Sequence, residues 1–192
     1  SLVNGLRLEI EKQPLSRGHQ PQQLKPLLQI RKDSMKYWWV NQNQTYKAEI
    51  SGGFLWSPKT RADGARNHFY ENMQEVETGD VVFSFCDTKI KAVGLATQRA
   101  VSAVKPDFGG AGVNWSQEGW LVTVEFVEVA SPIRPKDHIA TLRPHLPEKY
   151  SPLQATGDGL QSVYLAKVPE SMANALITLM GGIQALNVWG FN

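Results

Sequence analysis

Three tryptophans stand beside loops in this chain: Trp56, just ahead of Ser57-Pro58, and Trp115 and Trp120, at the two ends of Trp115-Ser116-Gln117-Glu118-Gly119-Trp120. A tryptophan presents a large flat π face. It stacks on another flat ring, and base stacking on an aromatic side chain is worth roughly 1–3 kcal/mol. Two polar loop residues, Asn43 and Asp158, have the side chains needed to read the polar edge of such a ring. From residue types alone the tryptophans read in two ways, as lids over the core or as walls of a pocket that grips a flat group.

Other chemistry finds less support. The four histidines, His19, His68, His138 and His145, fall in no H-E-x-x-H, H-N-H or deaminase pattern. There is no Gly-x-Ser-x-Gly elbow and no P-loop. Cys86 is the single cysteine, so no internal disulfide exists; it ends the apolar run Val81-Val82-Phe83-Ser84-Phe85-Cys86 and reads as a small buried residue. The chain offers no nucleophile–base pair, and no metal or cofactor is expected. With 20 basic against 18 acidic residues the net charge is +2, which excludes a polycation but permits a local patch. Lys59, Arg61 and Arg66 follow Trp56 closely, and Arg134, Lys136, Arg143 and Lys149 lie in a Pro-rich stretch. These basic residues read as a solvated surface or as a rim that tracks phosphates.

The elements that must position these side chains are mostly strands. Tyr37-Trp38-Trp39-Val40-Asn41 is aromatic and β-branched, and alternation places its two tryptophans on opposite faces. Residues 41–53 read as loop with at most a helical turn, 54–58 as a short extended piece, and 65–74 as a helix from Ala65, Phe69 and Met73. Residues 81–86 are a buried strand and 90–104 a second, long or bent near Gly94. Residues 120–129 alternate most cleanly. Prolines then forbid long helix over 132–152. Thr156-Gly157-Asp158-Gly159 is a tight turn, 162–166 is extended, and 169–180 is a helix stopped by Gly181-Gly182. The expectation is an α+β fold: a small curved β-barrel or open sheet of about five to six strands with two to three helices at the rim. Residues 1–34, without an aromatic residue, are expected to be a leader, linker or added segment, 35–182 the domain, and 183–192 a tail. No apolar run reaches the length of a membrane span, and the expected setting is soluble, reducing and intracellular.

The order Tyr37-Trp38-Trp39-Val40-Asn41-Gln42-Asn43, Gly53-Phe54-Leu55-Trp56-Ser57-Pro58, Gly79-Asp80-Val81-Val82-Phe83-Ser84-Phe85 and Ala92-Val93-Gly94-Leu95-Ala96 resembles the EVE domain of the PUA-like superfamily, related to YTH and ASCH domains. The stretches Val113-Asn114-Trp115-Ser116-Gln117-Glu118-Gly119-Trp120 and Gly157-Asp158-Gly159-Leu160-Gln161 look like YTH counterparts. The wording around Trp38 and Pro147-Glu148-Lys149-Tyr150-Ser151-Pro152 is most similar to EVE domains attached to modification-dependent restriction enzymes. The resemblance covers residues 36–181.

What it implies is a PUA-like barrel with a pocket for one extruded, modified base. Trp56, Trp115 and Trp120 would form the aromatic cage. Asn43 would bond the base edge, Ser57 would lie beside the base through its backbone, and Asp158 would add a polar contact from the closing turn. Lys59, Arg61, Arg66 and Lys149 are expected on the nucleic-acid backbone. Asn114 is inserted where YTH sequences run directly from Val to Trp. The implied activity is binding of 5-methylcytosine or 5-hydroxymethylcytosine in DNA, without catalysis, in a prokaryotic cytoplasm. An HNH nuclease or McrB-type GTPase would sit on a fused or partner segment. A reader of modified RNA such as N6-methyladenine, and a ligand-free interaction module, are the alternatives.

Overall fold

A computed structural model describes residues 35–182. The expected leader and the expected tail lie outside the described residues. Seven strands form one sheet: β1 (Tyr37–Asn41), β2 (Phe54–Pro58), β3 (Val81–Cys86), β4 (Lys89–Ala96), β5 (Val101–Val104), β6 (Glu118–Ile133) and β7 (Leu165–Val168). The order across it is β2-β6-β4-β3-β1-β7, with β5 paired to β6. The β1–β3 pair is parallel and the remaining pairs are antiparallel. Strand β6 has 16 residues and serves two parts of the sheet: Glu118–Thr123 pairs with β5 and β2, and the stretch from Val124 on pairs with β4. That shared strand lets the sheet curl into a half-barrel of α+β type, as expected.

Two details exceed the sequence reading. Residues 90–104 are two strands, because the chain turns after Ala96 and β5 crosses to the other end of β6. Residues 41–53 contain a helix, α1 (Tyr46–Gly52), closed by Gly53 in the left-handed region (φ 69°). Helix α2 (His68–Glu71) starts where Asn67 Oδ1 accepts from the amides of Phe69 and Tyr70, three residues later than the apolar spacing suggested. It runs into a 3₁₀ turn, Asn72–Glu75. The Pro-rich stretch holds α3 (Ile139–Leu142) between two more 3₁₀ turns, and α4 (Glu170–Leu179) follows β7. No helix among the described residues is long and apolar enough to cross a membrane.

Alternation along β1 divides the core. Trp38 and Val40 face a cluster with Leu55, Met73, Val82, Val122 and Leu165. Trp39 faces the other, with Phe83, Phe85, Ile90, Met172 and Leu176. Both tryptophans are fully buried, so the sheet is covered on both faces. On the second face α4 is the cover, through Met172, Ala173, Leu176 and Ile177. Met172, Leu176 and Ile177 each stabilise the fold by about 1.5–3 kcal/mol when fully buried. Trp38 meets the one polar need of its ring by donating Nε1–H to Asp80 Oδ2 at 2.9 Å.

Candidate functional site

The sheet path ends at β2 on one side and β7 on the other. Side chains bridge these edges in place of a backbone ladder. The Trp56 amide donates to Tyr164 Oη (3.0 Å) and to Glu49 Oε1 (3.2 Å). Tyr164 Oη donates to Glu49 Oε1 at 2.7 Å, and Asn72 Nδ2 donates to the Leu165 carbonyl at 2.9 Å. Gln42 Nε2 donates to the second oxygen of Glu49, and Ser84 Oγ donates to Gln42 Oε1 at 2.5 Å. Glu49 is wholly buried. Burial pushes its carboxyl up from 4.5 to about 8, while the hydrogen bonds from Tyr164, Gln42 and the Trp56 amide pull the other way. The Tyr164 hydroxyl is raised well above its ordinary range, first by burial and then by Glu49.

A cavity of about 370 Å³ opens beside this seam, within the size range of small-ligand pockets. Its floor and walls combine Asn41, Asn43, Gln44 and Thr45 from the β1–α1 turn, Ser57 and Pro58 from β2, Tyr70 from α2, Trp115, and 161–164 ahead of β7. Four carboxamides, three hydroxyl side chains and two tyrosines therefore converge with one indole face. Such a lining can grip a planar group by stacking and read its edge with donors and acceptors.

No protein-family model and no curated protein matches the chain. Solved structures do match. A hypothetical protein from Leishmania major superposes with a TM-score of 0.51 at 10% identity, over 78% of this chain and 96% of that one. The YTH domain of Zygosaccharomyces rouxii MRB1, solved in complex with N6-methyladenosine RNA, gives 0.50 at 9% identity, over 77% and 88%. The chain shares the fold of that YTH domain. Human THYN1, solved in complex with 5-methylcytosine-containing DNA, superposes at 0.47 and 14% identity, over 76% and 97%. At such identities the likeness is one of fold.

Within this YTH-like fold the site residues read from the sequence separate. Trp115, Asn43 and Ser57 line the cavity. Asn43 Oδ1 accepts from the Asp87 amide at 2.9 Å, and its Nδ2 has no protein acceptor among the described residues. Trp56 does not line the cavity. It is 1% exposed, its Nε1–H donates to the Ala103 carbonyl at 3.1 Å, and its ring lies behind that of Trp115. The ring also passes over Gly119, where a Cβ would come within 2.2 Å of it. Trp120 pairs with Ser57 across β2–β6, and Trp56 pairs with Leu121. The two tryptophans thus leave opposite faces of the sheet, and one cage of all three does not form. Lys59 Nζ lies 4.3 Å from the Trp120 ring centroid, and the ring packs against the cluster of Leu55 and Val122.

Asp158 also stands apart from the cavity. Its carboxylate accepts from Lys136 Nζ at 2.7 Å and from Thr156 Oγ1 at 2.9 Å, on an exposed turn that does not line the cavity. Lys136 holds that carboxyl below its ordinary value. The basic residues also differ among themselves. Lys59 donates to Ser102 Oγ (2.7 Å), Arg61 pairs with Asp63 (3.4 Å), and Arg66 pairs with Glu71 (2.5 Å). Lys149 is exposed and has no ion-pair partner among the described residues.

The sequence reading missed Tyr164, Tyr70 and Glu49. Nothing in the local pattern marks Glu49, which lies on a helix that propensity alone does not announce. Tyr164 was legible only as one aromatic in an extended stretch.

Proposed function

We propose that the seam cavity takes one modified base of a nucleic acid, turned out of its stack, and that this chain is a binding domain and not an enzyme. The observation that carries the reading is the cavity itself: the Trp115 indole among amide and hydroxyl side chains, at the end of a curled sheet. Extruding a base costs a few kcal/mol. Stacking on Trp115 offsets about 1–3 kcal/mol of that, and hydrogen bonds from Asn43 and the backbone near Ser57 supply the edge recognition. One methyl group adds only about 1 kcal/mol of apolar burial, so discrimination rests on shape and on these polar groups. Lys59, Arg61, Arg66 and Lys149 would meet the flanking phosphates.

The substrate we favour is DNA carrying 5-methylcytosine or 5-hydroxymethylcytosine, read for a modification-dependent restriction system of a prokaryotic cytoplasm. It is supported by the resemblance of residues 36–181 to EVE domains of such systems. A fused or partner HNH nuclease or McrB-type GTPase would then do the cutting. A second reading, modified RNA, is favoured by the fold shared with a YTH domain solved on N6-methyladenosine RNA. Gel shifts with modified and unmodified DNA and RNA of equal length test both. Tighter binding of one modified probe, lost on Trp115→Ala, is the expected result. Equal affinity for modified and unmodified probes rejects the cavity as a base reader.

A further inference from the structure

An exposed aromatic stack is built on the same short helix that gives the cavity Tyr70, and plays no part in lining the cavity. Tyr150 lies face to face with His68, ring centroids 3.8 Å apart and planes 19° apart, and the edge of Phe69 meets it at 6.0 Å and 90°. Tyr150 is 56% exposed. Its backbone is left-handed, φ 57°, a conformation that is costly for a residue bearing a Cβ. A large apolar ring held in the open on strained backbone opposes both burial and local sterics, and such positions cluster where ligands bind. Two residues beyond His68 on the same helix turn, Tyr70 lines the cavity. The two side chains leave the helix in different directions, but their backbones are only about 5–6 Å apart, about the length of one nucleotide step, so a strand with one base in the cavity can pass a neighbouring base over the stack. Lys149, exposed and adjacent in sequence, adds positive charge at the same place.

We infer that the outer face of Tyr150, backed by His68, is a stacking platform for the base flanking the one in the cavity. This rests on the proposed reading of that cavity. Every base has a π face, so the platform is indifferent to sequence and strengthens binding without helping to recognise the modification. The left-handed backbone aims the ring outward, and the His68 stack keeps it from folding onto the surface.

The test uses the whole chain with short single strands of DNA and RNA carrying a central 5-methylcytosine or N6-methyladenine. In matched probes the nucleotide on one side or the other is abasic. Tyr150→Gly removes the ring and suits the positive φ, so the melting temperature should hold or rise. Its affinity for the intact modified probe should fall roughly tenfold, with the ratio of modified to unmodified binding unchanged. Tyr150→Trp should restore the affinity. On the probe that is abasic at the contacted side, Tyr150→Gly and the parent chain should bind alike. If the parent chain discriminates the modified base but neither Tyr150→Gly nor an abasic neighbour weakens it, the platform is wrong and the cavity reading survives. If Tyr150→Gly loses as much on the abasic probes as on the intact one, Tyr150 only braces its loop and the platform is again wrong. If the parent chain binds no probe, cavity reading and platform fall together.

Discussion

The ring of Trp115 lies over that of Trp56 with centroids 6.4 Å apart and planes 26° from parallel. Two carbon contacts of 3.5–4.0 Å, one on each face of an inserted ring, would need about 7–8 Å. The pair as it stands is closed to a third ring. Phe108 completes the closure, 5.9 Å from Trp56 and 6.0 Å from Trp115. Trp115 lines the cavity with the pair as it stands, so a base there can touch its ring without disturbing the pair, whereas a sandwich would require the loop bearing Trp115 to lift. That loop is tied down by Lys105 Nζ donating to the Gly112 carbonyl (2.8 Å) and by the Trp115 amide donating to the same carbonyl (3.0 Å).

The two tryptophans should therefore respond differently to truncation. Trp115→Ala should lower affinity for a modified oligonucleotide roughly tenfold, by the loss of one stacking face, with a loss of stability of about 1–3 kcal/mol from its contacts with Trp56 and Phe108. Trp56→Ala empties a fully buried site and should destabilise the fold by about 3–5 kcal/mol. Binding and urea unfolding measured on both variants separate the roles. Equal effects on stability would contradict the assignment.

Glu49 predicts a pH dependence. In the fold its carboxyl stays neutral up to about pH 8, against an ordinary value of 4.5. Between these values the unfolded chain sheds a proton that the folded chain keeps. The contribution of this group to stability is thus whole below about pH 4.5 and falls as pH rises towards 8, by up to ~1.4 kcal/mol per pH unit, then levels off. Urea unfolding at a series of pH values, with Glu49→Gln as reference, isolates it. The difference between the two proteins should shift in favour of Glu49→Gln across that window and hold steady above it.

Asn43→Asp keeps the oxygen that accepts from the Asp87 amide and removes the Nδ2 donor of this cavity-lining residue. The fold should persist, by circular dichroism and melting temperature, while oligonucleotide affinity drops several-fold. Asp158→Asn should leave affinity within about twofold. Its carboxylate is engaged on an exposed ion pair with Lys136, of a kind worth roughly 0–1 kcal/mol.

Gly119→Ala should destabilise the chain by about 1–3 kcal/mol, because its Cβ would lie 2.2 Å from the Trp56 ring and 2.4 Å from the Ser57 carbonyl oxygen. Thermal unfolding of Gly119→Ala, Trp56→Leu and the double variant tests the contact. The double variant should lose less than the two single losses added together, the ring's part of the conflict being relieved and the carbonyl's part remaining.

The sheet was largely legible before the structure. The β-branched and aromatic runs 37–41 and 81–86 mark strands buried on both faces, the alternation in 120–129 marks one with a single buried face, and strands stand at all three places. The site was legible in residue types but not in direction. Trp56 and Trp120 each sit at a strand beside a loop, and that shared setting, with the resemblance to YTH and EVE domains, suggested one cage. Their faces are decided by which residues pair across β2 and β6, a register that no single strand encodes. Asp158 was read from its turn alone, and the Lys136 that engages it comes from a helix turn far away in sequence. Glu49 and Tyr164 meet only because the curled sheet brings its two free edges together.

Those edges also give the molecule an internal clock for hydrogen exchange. In the ladders of β3, β4 and β6 an amide proton is released only by breaking backbone pairing over several residues. The Trp56 amide is held by Tyr164 and Glu49 side chains, and rotation of those two groups frees it. It should exchange by a smaller opening than its neighbours along β6. The proton of that single amide would then time the parting of the seam, with the barrel wall still intact.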